Sequence, residues 1–312
     1  MMAARKTPHL LDTLPSAAGR LQPDAVLGPT TWFRVGGAAE VLFRPADAAD
    51  LSRFLREMPL HVPVSVIGAA SNLIVRDGGI AGVVIRLARG FGAIEVEADG
   101  IVAGGACLDA TVAEHALAAG LAGLEFLSGI PGTIGGAVAM NAGAYGSDVA
   151  AMLDWAEIVT RQGEVQRLPA GHIGFSYRHS GLPPESVVVR ARFAARPGDP
   201  TLIATRMAEI RASREATQPV RARTGGSTFR NPDGARAWEL IDGAGCRALR
   251  RGDAQVSEKH CNFLLNLGAA TAADLEGLGE EVRRRVHESS GITLAWEIKR
   301  LGIPAGKPEV VA

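Results

Sequence analysis

Glycine and proline interrupt the apolar sequence of this chain at short intervals. The 312 residues include 38 glycines and 17 prolines, which are spread among apolar segments and not gathered in one low-complexity tract. This spacing is typical of a chain with many tight turns or close backbone approaches, and it excludes collagen-like and linker sequences. At 312 residues the chain is long enough for two or three domains, and its hydrophobic fraction of 47% is sufficient for a sizeable core.

β-Branched runs and turn residues predict short strands in the first two thirds of the chain. A strand, a helix and two further strands are expected between Val41 and Ile85. Hairpins are expected at 94–103 and at 157–168, each around a turn that contains glycine. The segment 196–200 contains two prolines and a glycine and breaks the chain, so one subdomain is expected to close there.

Helical patterns are clearest after that break. Residues 202–216 have helical propensity, and 271–290 has apolar residues at three- and four-residue steps between a capping box at Thr271 and a terminating Gly291. An earlier helix is predicted to begin with Asp109 as its cap. Strands and helices do not alternate regularly and no repeat is found, which favours an α+β fold.

The charge balance and the cysteines limit the classes of function. The chain has 33 basic and 33 acidic residues, so the positive field expected of a general nucleic-acid binder is missing. Three cysteines without C-x-x-C spacing indicate neither a disulfide framework nor a cysteine zinc site. The N-terminus lacks a signal-peptide core, and the most apolar stretch, 116–124, is too short for a membrane span. We expect a soluble cytoplasmic protein that is not inserted in a membrane.

Several familiar sites are absent from the sequence. There is no Walker A motif, and the glycines of 129–136 do not match the dinucleotide fingerprint G-x-G-x-x-G. Ser227 lacks the second glycine of a nucleophile elbow, and no H-E-x-x-H occurs. No metal site is therefore predicted.

Two glycine-rich loops, 67–73 and 130–137, combine small residues with hydroxyl or amide side chains beside predicted strand ends. Small residues allow backbone N–H groups to approach an anion closely, which suits a diphosphate. Ordinary turn chemistry explains either loop equally well when it is taken alone. The presence of two such loops favours anion binding modestly.

Charged residues in the second half also indicate an anionic ligand. Arg178 lies among aromatic and hydroxyl groups, a setting that suits a bidentate grip on a carboxylate or phosphate, although a surface arginine in a turn is the simpler interpretation. The segment 206–251 holds ten arginines against five acidic residues. Glu297 lies between Trp296 and a basic pair, where a salt bridge is the simpler interpretation. Spacing alone indicates an anion-binding enzyme of unknown reaction.

From about Thr30 to Gly302 the sequence resembles the UDP-N-acetylenolpyruvoylglucosamine reductase family, in its shorter form. The resemblance rests on motifs that occur in the family's order: TWFRVGG at 31–37, SNL at 71–73, IPGTIGGA at 130–137, NAGAYG at 141–146, FSYR at 175–178, GSTFRNP at 226–232 and VSEKH at 256–260. One departure is that Ala70 occupies the second glycine position of the family's usual G-x-G-S-N loop. Flavin contact at that position is therefore an open question.

The resemblance implies an α+β fold of the vanillyl-alcohol-oxidase type, with two FAD-binding subdomains and an α+β substrate-binding domain. The implied boundaries are an N-terminal tail at 1–22, a first FAD-binding subdomain at 23–90 to which 298–303 return, a second at 91–215, a substrate domain at 216–297 and a C-terminal tail at 304–312.

The implied activity is the reduction of the enolpyruvyl group of UDP-N-acetylglucosamine enolpyruvate to UDP-N-acetylmuramate, a step in peptidoglycan precursor synthesis. NADPH would donate the hydride and FAD, bound noncovalently, would carry it. The implied cofactor residues are Gly68, Ser71, Asn72, Leu73, Pro131, Gly132, Thr133, Gly135, Gly136, Ala137, Asn141 and Gly143. The candidate substrate-binding residues are Tyr177, Arg214, Gln218 and Asn231. Oligomeric state is not indicated.

The family's catalytic positions correspond to Arg178, Ser227 and Glu297. A guanidinium suits the charge that develops on the substrate carboxylate, and a positioned hydroxyl suits protonation of an enolate carbon. Glu297 would orient or protonate the carboxylate system, and the sequence does not choose between the two roles. The competing hypotheses are an FAD oxidase of the same broad fold, which the serine and the arginine-rich segment disfavour, and a noncatalytic nucleotide-sugar binding protein.

Overall fold

The computed structural model describes residues 8–306. Its helices are α1 Ala48–Glu57, α2 Asp109–Ala118, α3 Ile134–Met140, α4 Val149–Met152, α5 Pro200–Thr217, α6 Ala237–Gly243 and α7 Ala272–Ser290. Its strands are β1 Arg20–Val26, β2 Ala38–Arg44, β3 Val64–Val66, β4 Leu73–Val75, β5 Ile80–Ile85, β6 Ile94–Glu97, β7 Gly100–Gly104, β8 Leu121–Ala122, β9 Gly143–Ala144, β10 Ser147–Asp148, β11 Leu153–Val159, β12 Val165–Pro169, β13 Val187–Ala194, β14 Arg196–Pro197, β15 Arg223–Ser227, β16 Arg250–Arg251, β17 Ala254–Val256, β18 Phe263–Asn266 and β19 Lys299–Leu301. None of the helices described is long and apolar enough to cross a membrane.

The first sheet has the strand order β1-β2-β5-β3. β1 is antiparallel to β2, whereas β2 and β3 both run parallel to β5. Asp47 caps α1 by accepting a hydrogen bond from the Asp50 N–H, and the helix buries Leu51 and Phe54 on its apolar face. The Phe54 ring lies 4.1 Å from that of Phe43 on β2. The predicted strand–helix–strand–strand unit is confirmed.

The second sheet is antiparallel, with the order β12-β11-β13-β7-β6. Both predicted hairpins are confirmed, because β6 pairs with β7 and β11 pairs with β12. A core of apolar side chains, including Ile101, Val112 and Phe193, packs α2 and α3 against this sheet. The helix α3 begins within the second glycine-rich segment, with Thr133 as its N-cap.

The third sheet, β15-β18-β17-β16, carries the helices α6 and α7. As predicted, α7 begins at a capping box between Thr271 and Asp274 and ends at Gly291, which has a left-handed φ of +73°. After α7 the chain returns to the first part, where β19 runs parallel to β4 with Lys299 opposite Leu73. This return places residues 297–299 beside the first glycine-rich loop.

Two expectations need correction. Asp109 does not cap α2, because Leu108 is the N-cap and the Asp109 carboxylate, fully buried, makes no hydrogen bond within residues 8–306. Regular structure also begins inside the predicted N-terminal tail, since β1 starts at Arg20 and pairs with β2. Only the ends of the two predicted tails, 1–7 and 307–312, lie outside the described residues.

Candidate active site

Arg178 and Glu297 form an ion pair, in which Arg178 Nε donates to Glu297 Oε1 at 2.8 Å. Both side chains are mostly buried, at 23% and 13% exposure. The terminal nitrogens of Arg178 make no further hydrogen bond within the described residues, and the same holds for Glu297 Oε2. The salt bridge expected for Glu297 thus exists, and its partner is the other candidate catalytic residue.

A tight turn holds Arg178. The backbone N–H and carbonyl groups of Ser176 and His179 bond each other at 3.0 and 3.1 Å, and Arg178 between them has a left-handed φ of +56°. Such a conformation costs about 1 kcal/mol or more for a residue with a Cβ and is concentrated at functional sites. The Asn141 amide fixes the turn by donating to the Ser176 carbonyl at 3.1 Å.

Backbone pairing brings Glu297 to Ser227. The segment after β15 runs alongside the segment before β19: the Glu297 N–H donates to the Thr228 carbonyl at 2.8 Å, and Phe229 and Trp296 form an antiparallel bridge. Ser227, adjacent to Thr228, lines the same cavity as Arg178 and Glu297. Its hydroxyl makes no hydrogen bond to any residue from 8 to 306, so it is available to a ligand.

Burial and two neighbouring arginines shift the pKa of Glu297 in opposite directions. Burial raises the pKa of Glu297, while Arg178 and Arg230 oppose that rise. Arg230 also donates to the Arg178 carbonyl at 3.4 Å, which places a second guanidinium next to the pair. Burial is the larger effect, so the pKa of Glu297 lies above its ordinary value, and losing Arg178 would remove a charge that opposes this rise.

The two glycine-rich loops meet face to face. A Cβ added to Gly68 would lie 2.5 Å from Thr133 Oγ1, and one added to Gly135 would lie 3.1 Å from the Gly105 carbonyl oxygen. The close approach requires glycine at 68. It also leaves backbone groups of both loops exposed to the cavities that they line.

Two connected cavities lie along these loops. The Arg178 cavity, about 600 Å³, is lined by Arg178, Ser227 and Glu297, and the Arg86 cavity, about 910 Å³, is lined by Arg86. Residues 66–69, Thr133 and Gly136 line both. Each of the two volumes is within the range of small-molecule and cofactor sites.

Most sequence-predicted site residues line these cavities. Those that do are Gly68, Ser71, Asn72, Leu73, Pro131, Gly132, Thr133, Gly135, Gly136, Ala137, Gly143, Arg178, Arg214, Gln218, Ser227 and Glu297. Asn141, Tyr177 and Asn231 do not line either one. The Asn141 amide is engaged with the 176–179 turn and with the backbone N–H of Ala150, and the Asn231 side chain accepts from the Ala237 N–H.

Comparison with known proteins gives a consistent result along the chain. Residues 218–301 match the family UDP-N-acetylenolpyruvoylglucosamine reductase, C-terminal domain, and 39–169 match the family FAD binding domain. The chain is 68% identical over 304 residues to a UDP-N-acetylenolpyruvoylglucosamine reductase of Acidiphilium cryptum, covering 97% of this chain and 98% of that one. The chain belongs to the UDP-N-acetylenolpyruvoylglucosamine reductase family. A second reductase, from Granulibacter bethesdensis, is 62% identical and is covered over 99% of both chains.

A solved structure of this reductase family has the same fold. The crystal structure of the enzyme from Thermus caldophilus superposes with a TM-score of 0.80 at 36% identity, and covers 91% of this chain and 100% of that one. The predicted α+β FAD-binding fold is confirmed. Among residues 8–306, no group of three or more His, Cys, Asp or Glu is placed to hold a metal ion.

The backbone at Ala70 keeps the conformation of the glycine that the reductase family usually has at this loop position. Ala70 has a left-handed φ of +52°, a conformation that glycine adopts without steric cost. Its carbonyl still accepts a hydrogen bond from the Trp32 N–H at 3.2 Å, and its side chain is buried in the core of the first sheet. The loop therefore keeps a glycine-like backbone with alanine present.

Sequence reasoning missed several residues at the site. Trp32, Tyr145 and Lys299 line the Arg178 cavity, and Arg230 donates a hydrogen bond to the Arg178 carbonyl. Trp32, Tyr145 and Arg230 lie in the motifs at 31–37, 141–146 and 226–232, and Lys299 lies two residues after Glu297. A role for the individual side chain was not visible, because its direction depends on packing between segments that lie far apart in the sequence.

Proposed function

We propose that this chain is an FAD-containing, NADPH-dependent reductase that converts UDP-N-acetylglucosamine enolpyruvate to UDP-N-acetylmuramate, as the names of its relatives imply. The observation that carries the proposal is the Arg178–Glu297 pair beside a Ser227 hydroxyl that makes no hydrogen bond within the described residues, in a cavity lined by two glycine-rich loops. We place the enzyme in the cytoplasm, which is supported by three cysteines that are all free.

The residues present fit FAD. Gly68 and Thr133 meet where a Cβ would collide, which leaves small-residue backbone at the junction of the two cavities for a diphosphate. We assign the predicted cofactor residues of both loops to this contact, and Asn141 to holding the turn that carries Arg178. When bound, FAD supplies the hydride carrier between NADPH and the enolpyruvyl group.

Arg178 stabilises the carboxylate of the substrate. Hydride addition at C3 of the enolpyruvyl ether moves negative charge through C2 toward the carboxylate, and a fixed guanidinium lowers the energy of that charge where it develops. Two features support this role: the terminal nitrogens of Arg178 make no hydrogen bond to any residue between 8 and 306, and Glu297 fixes the orientation of its Nε. The turn at 176–179 holds the group in advance of the reaction.

Ser227 donates the proton to C2. An enolate carbon is basic enough to accept a proton from a hydroxyl that is positioned and shielded from water. Ser227 ends a strand of the third sheet, and so its position is set by backbone pairing opposite Phe263. Its freedom from other hydrogen bonds in the described part supports this assignment.

Glu297 orients Arg178, and it protonates more readily when the substrate carboxylate replaces it as the partner of the guanidinium. Burial favours its neutral form once the ion pair is lost. Arg214 and Gln218, whose side chains contact each other at 3.5 Å beside the same cavity, are proposed to meet the UDP diphosphate. The assignments of Tyr177 and Asn231 to the substrate stay predictions.

The three sheets support a division into two FAD-binding subdomains and a substrate domain. The second and third sheets each have a main hydrophobic core, a smaller core lies within the first sheet, and a further core joins the first sheet and α1 to strands of the second sheet. The two glycine-rich loops adjoin the first and second sheets. We propose boundaries near 23–90, 91–215 and 216–297, with 298–303 returning to the first, and with the strand β1 extending that unit to Arg20.

The decisive experiment is an absorbance spectrum of the purified protein, followed by NADPH with and without the enolpyruvyl substrate. We expect a flavin spectrum that NADPH bleaches and that the substrate restores under anaerobic conditions. Restoration by dioxygen alone, with no response to the substrate, would instead support the FAD oxidase hypothesis. Nucleotide-sugar binding without any bleaching would support a noncatalytic binding protein.

A further inference from the structure

Arg230 lies beside the Arg178–Glu297 pair and forms no salt bridge with any residue from 8 to 306. Its Nη2 donates to the Arg178 carbonyl at 3.4 Å, which is the one hydrogen bond of its side chain within those residues. Its Nε is buried and has no hydrogen-bond partner in that range. A half-buried guanidinium without a carboxylate in contact is unfavourable unless a nearby negative charge compensates it.

The backbone fixes the position of Arg230. Its N–H donates to the Ala295 carbonyl at 2.9 Å. The adjacent Phe229 is held on both sides by the Asn262 side chain, whose oxygen accepts from the Phe229 N–H at 2.9 Å and whose nitrogen donates to the Phe229 carbonyl at 2.8 Å. The Arg230 side chain therefore starts from a fixed point beside the segment of the candidate catalytic glutamate.

Arg230 acts on Glu297 through its charge. Burial raises the pKa of Glu297; Arg178, in contact at 2.8 Å, opposes that rise, and so does the positive charge of Arg230. The other charged or titratable side chains that line the Arg178 cavity are Asp109, Tyr145, Glu185, Arg214 and Lys299. Without Arg230, the neutral form of Glu297 gains, and a neutral carboxyl holds a guanidinium less firmly than a carboxylate does.

The charge count in this group suits a substrate that brings a carboxylate. Arg178 and Arg230 are two cations against the single carboxylate of Glu297. When the substrate carboxylate pairs with Arg178, the group contains two cations and two anions. Arg230 is then the cation that remains for Glu297.

We infer that Arg230 is a positioning residue for substrate reduction. It fixes the turn that carries Arg178 through the Arg178 carbonyl, and it keeps the Glu297 carboxylate charged at neutral pH, so that Glu297 holds the Arg178 guanidinium in place. This rests on the proposed function, because the reaction supplies the substrate carboxylate that Arg178 meets.

The first test follows the Glu297 carboxyl directly and needs no substrate. Glutamate labelled with ¹³C at its side-chain carboxyl gives NMR signals that titrate with pH, and the signal missing from the Glu297→Gln protein identifies Glu297. We expect Arg230→Gln to move this titration to higher pH, and Arg230→Lys, which keeps the charge, to move it less. Since the side chain makes one hydrogen bond of 3.4 Å in the described part, both variants are expected to fold.

The matched control is Arg250→Gln, which removes the same charge from an exposed arginine on β16 of the same sheet, away from both cavities. The titration of Glu297 should stay in place in this protein. Titration at the same pH in the Arg230→Gln and Arg250→Gln proteins would overturn the inference.

The second test separates positioning from a general structural effect. We expect Arg230→Gln to slow re-oxidation by the enolpyruvyl substrate by about 10-fold, the lower end for a hydrogen bond from a charged group, and to leave bleaching by NADPH nearly unchanged. The acid limb of the second-order rate constant for re-oxidation should move to higher pH with the carboxyl titration, because this constant reports ionisations of the free enzyme. Arg230→Lys should recover most of the rate that Arg230→Gln loses at acidic pH.

An equal loss in both half-reactions, without any change in pH dependence, would give Arg230 a structural role only and would contradict the inference. Failure of the proposed function has a different signature. If the unsubstituted protein is not re-oxidised by the substrate, the proposed function fails and the inference falls with it. If that protein is re-oxidised normally while the Glu297 titration is insensitive to Arg230, the inference alone fails.

Discussion

The side-chain amide of Asn72 donates a hydrogen bond to the backbone carbonyl of Glu297 at 3.3 Å, across 225 residues of sequence. The Lys299 N–H returns a bond to the Asn72 carbonyl at 3.1 Å. These contacts fasten the first glycine-rich loop to the segment that carries the candidate catalytic glutamate. The first glycine-rich loop and the segment of Glu297 are thus parts of one hydrogen-bonded unit.

Arg178→Lys is expected to slow substrate reduction severely. A lysine ammonium is a point charge, so it cannot bond Glu297 through Nε while presenting two planar donors to a carboxylate. Losing one preorganised donor costs on the order of 3 kcal/mol of transition-state stabilisation, or about 100-fold in rate. The measurement is the rate at which the enolpyruvyl substrate re-oxidises the reduced enzyme; a rate near that of the unsubstituted protein would remove Arg178 from this role.

Ser227→Ala is expected to separate the two half-reactions. Reduction by NADPH needs no proton on the substrate carbon, so bleaching of the flavin should be nearly unchanged, whereas product formation should be strongly impaired. Removing one oxygen that makes no hydrogen bond in the described part should leave packing intact. Stopped-flow absorbance follows both phases. If Ser227 were only a turn residue, both phases would be unaffected or would fall together.

Gly68→Ala is expected to weaken FAD binding, because the new Cβ would lie 2.5 Å from Thr133 Oγ1 and push the two loops apart. The double substitution with Thr133→Ala removes the clashing oxygen and should recover part of the affinity. Gly171→Ala is the control, since its Cβ would meet nothing within 4 Å and its φ is not left-handed. Fluorescence titration with FAD gives the affinities. Unchanged binding in the Gly68→Ala protein would show that the loops tolerate separation.

Asp109→Asn is expected to change how stability depends on pH. Burial raises the pKa of Asp109 well above its ordinary value, so the folded protein takes up a proton more readily there than the unfolded chain does. The stability that this proton provides is complete below about pH 4, the usual pKa of an unfolded aspartate, and is lost as the pH rises toward the folded value. Asparagine is neutral at every pH, so the variant does not lose stability in this way. Between pH 4 and pH 7 the Asp109→Asn protein should therefore become more stable relative to the unsubstituted protein.

Urea unfolding at a series of pH values measures that difference. Asp233→Asn, at an exposed position, removes the same charge and should show no comparable change with pH. If the difference in unfolding free energy between the Asp109→Asn and unsubstituted proteins stays constant from pH 4 to pH 7, the Asp109 carboxyl titrates alike in the folded and unfolded states.

The amino-acid sequence by itself determined the local elements and the family. The hairpin at 94–103 and the helix 272–290 depend on turn residues, caps and periodicity that act over a few neighbours, so they were predictable. The order of the motifs along the chain was also sufficient to predict the fold and the cofactor.

Only the tertiary structure decided which side chains meet. Arg178 and Glu297, 119 residues apart, pair because a turn fixed by Asn141 faces the segment that returns beside Thr228. For the same reason Asp109 became a buried carboxyl and not a helix cap, and Arg86 became part of a cavity. Spacing in a sequence constrains backbone conformation over a few residues, whereas side-chain direction, burial and charge environment depend on packing between distant segments.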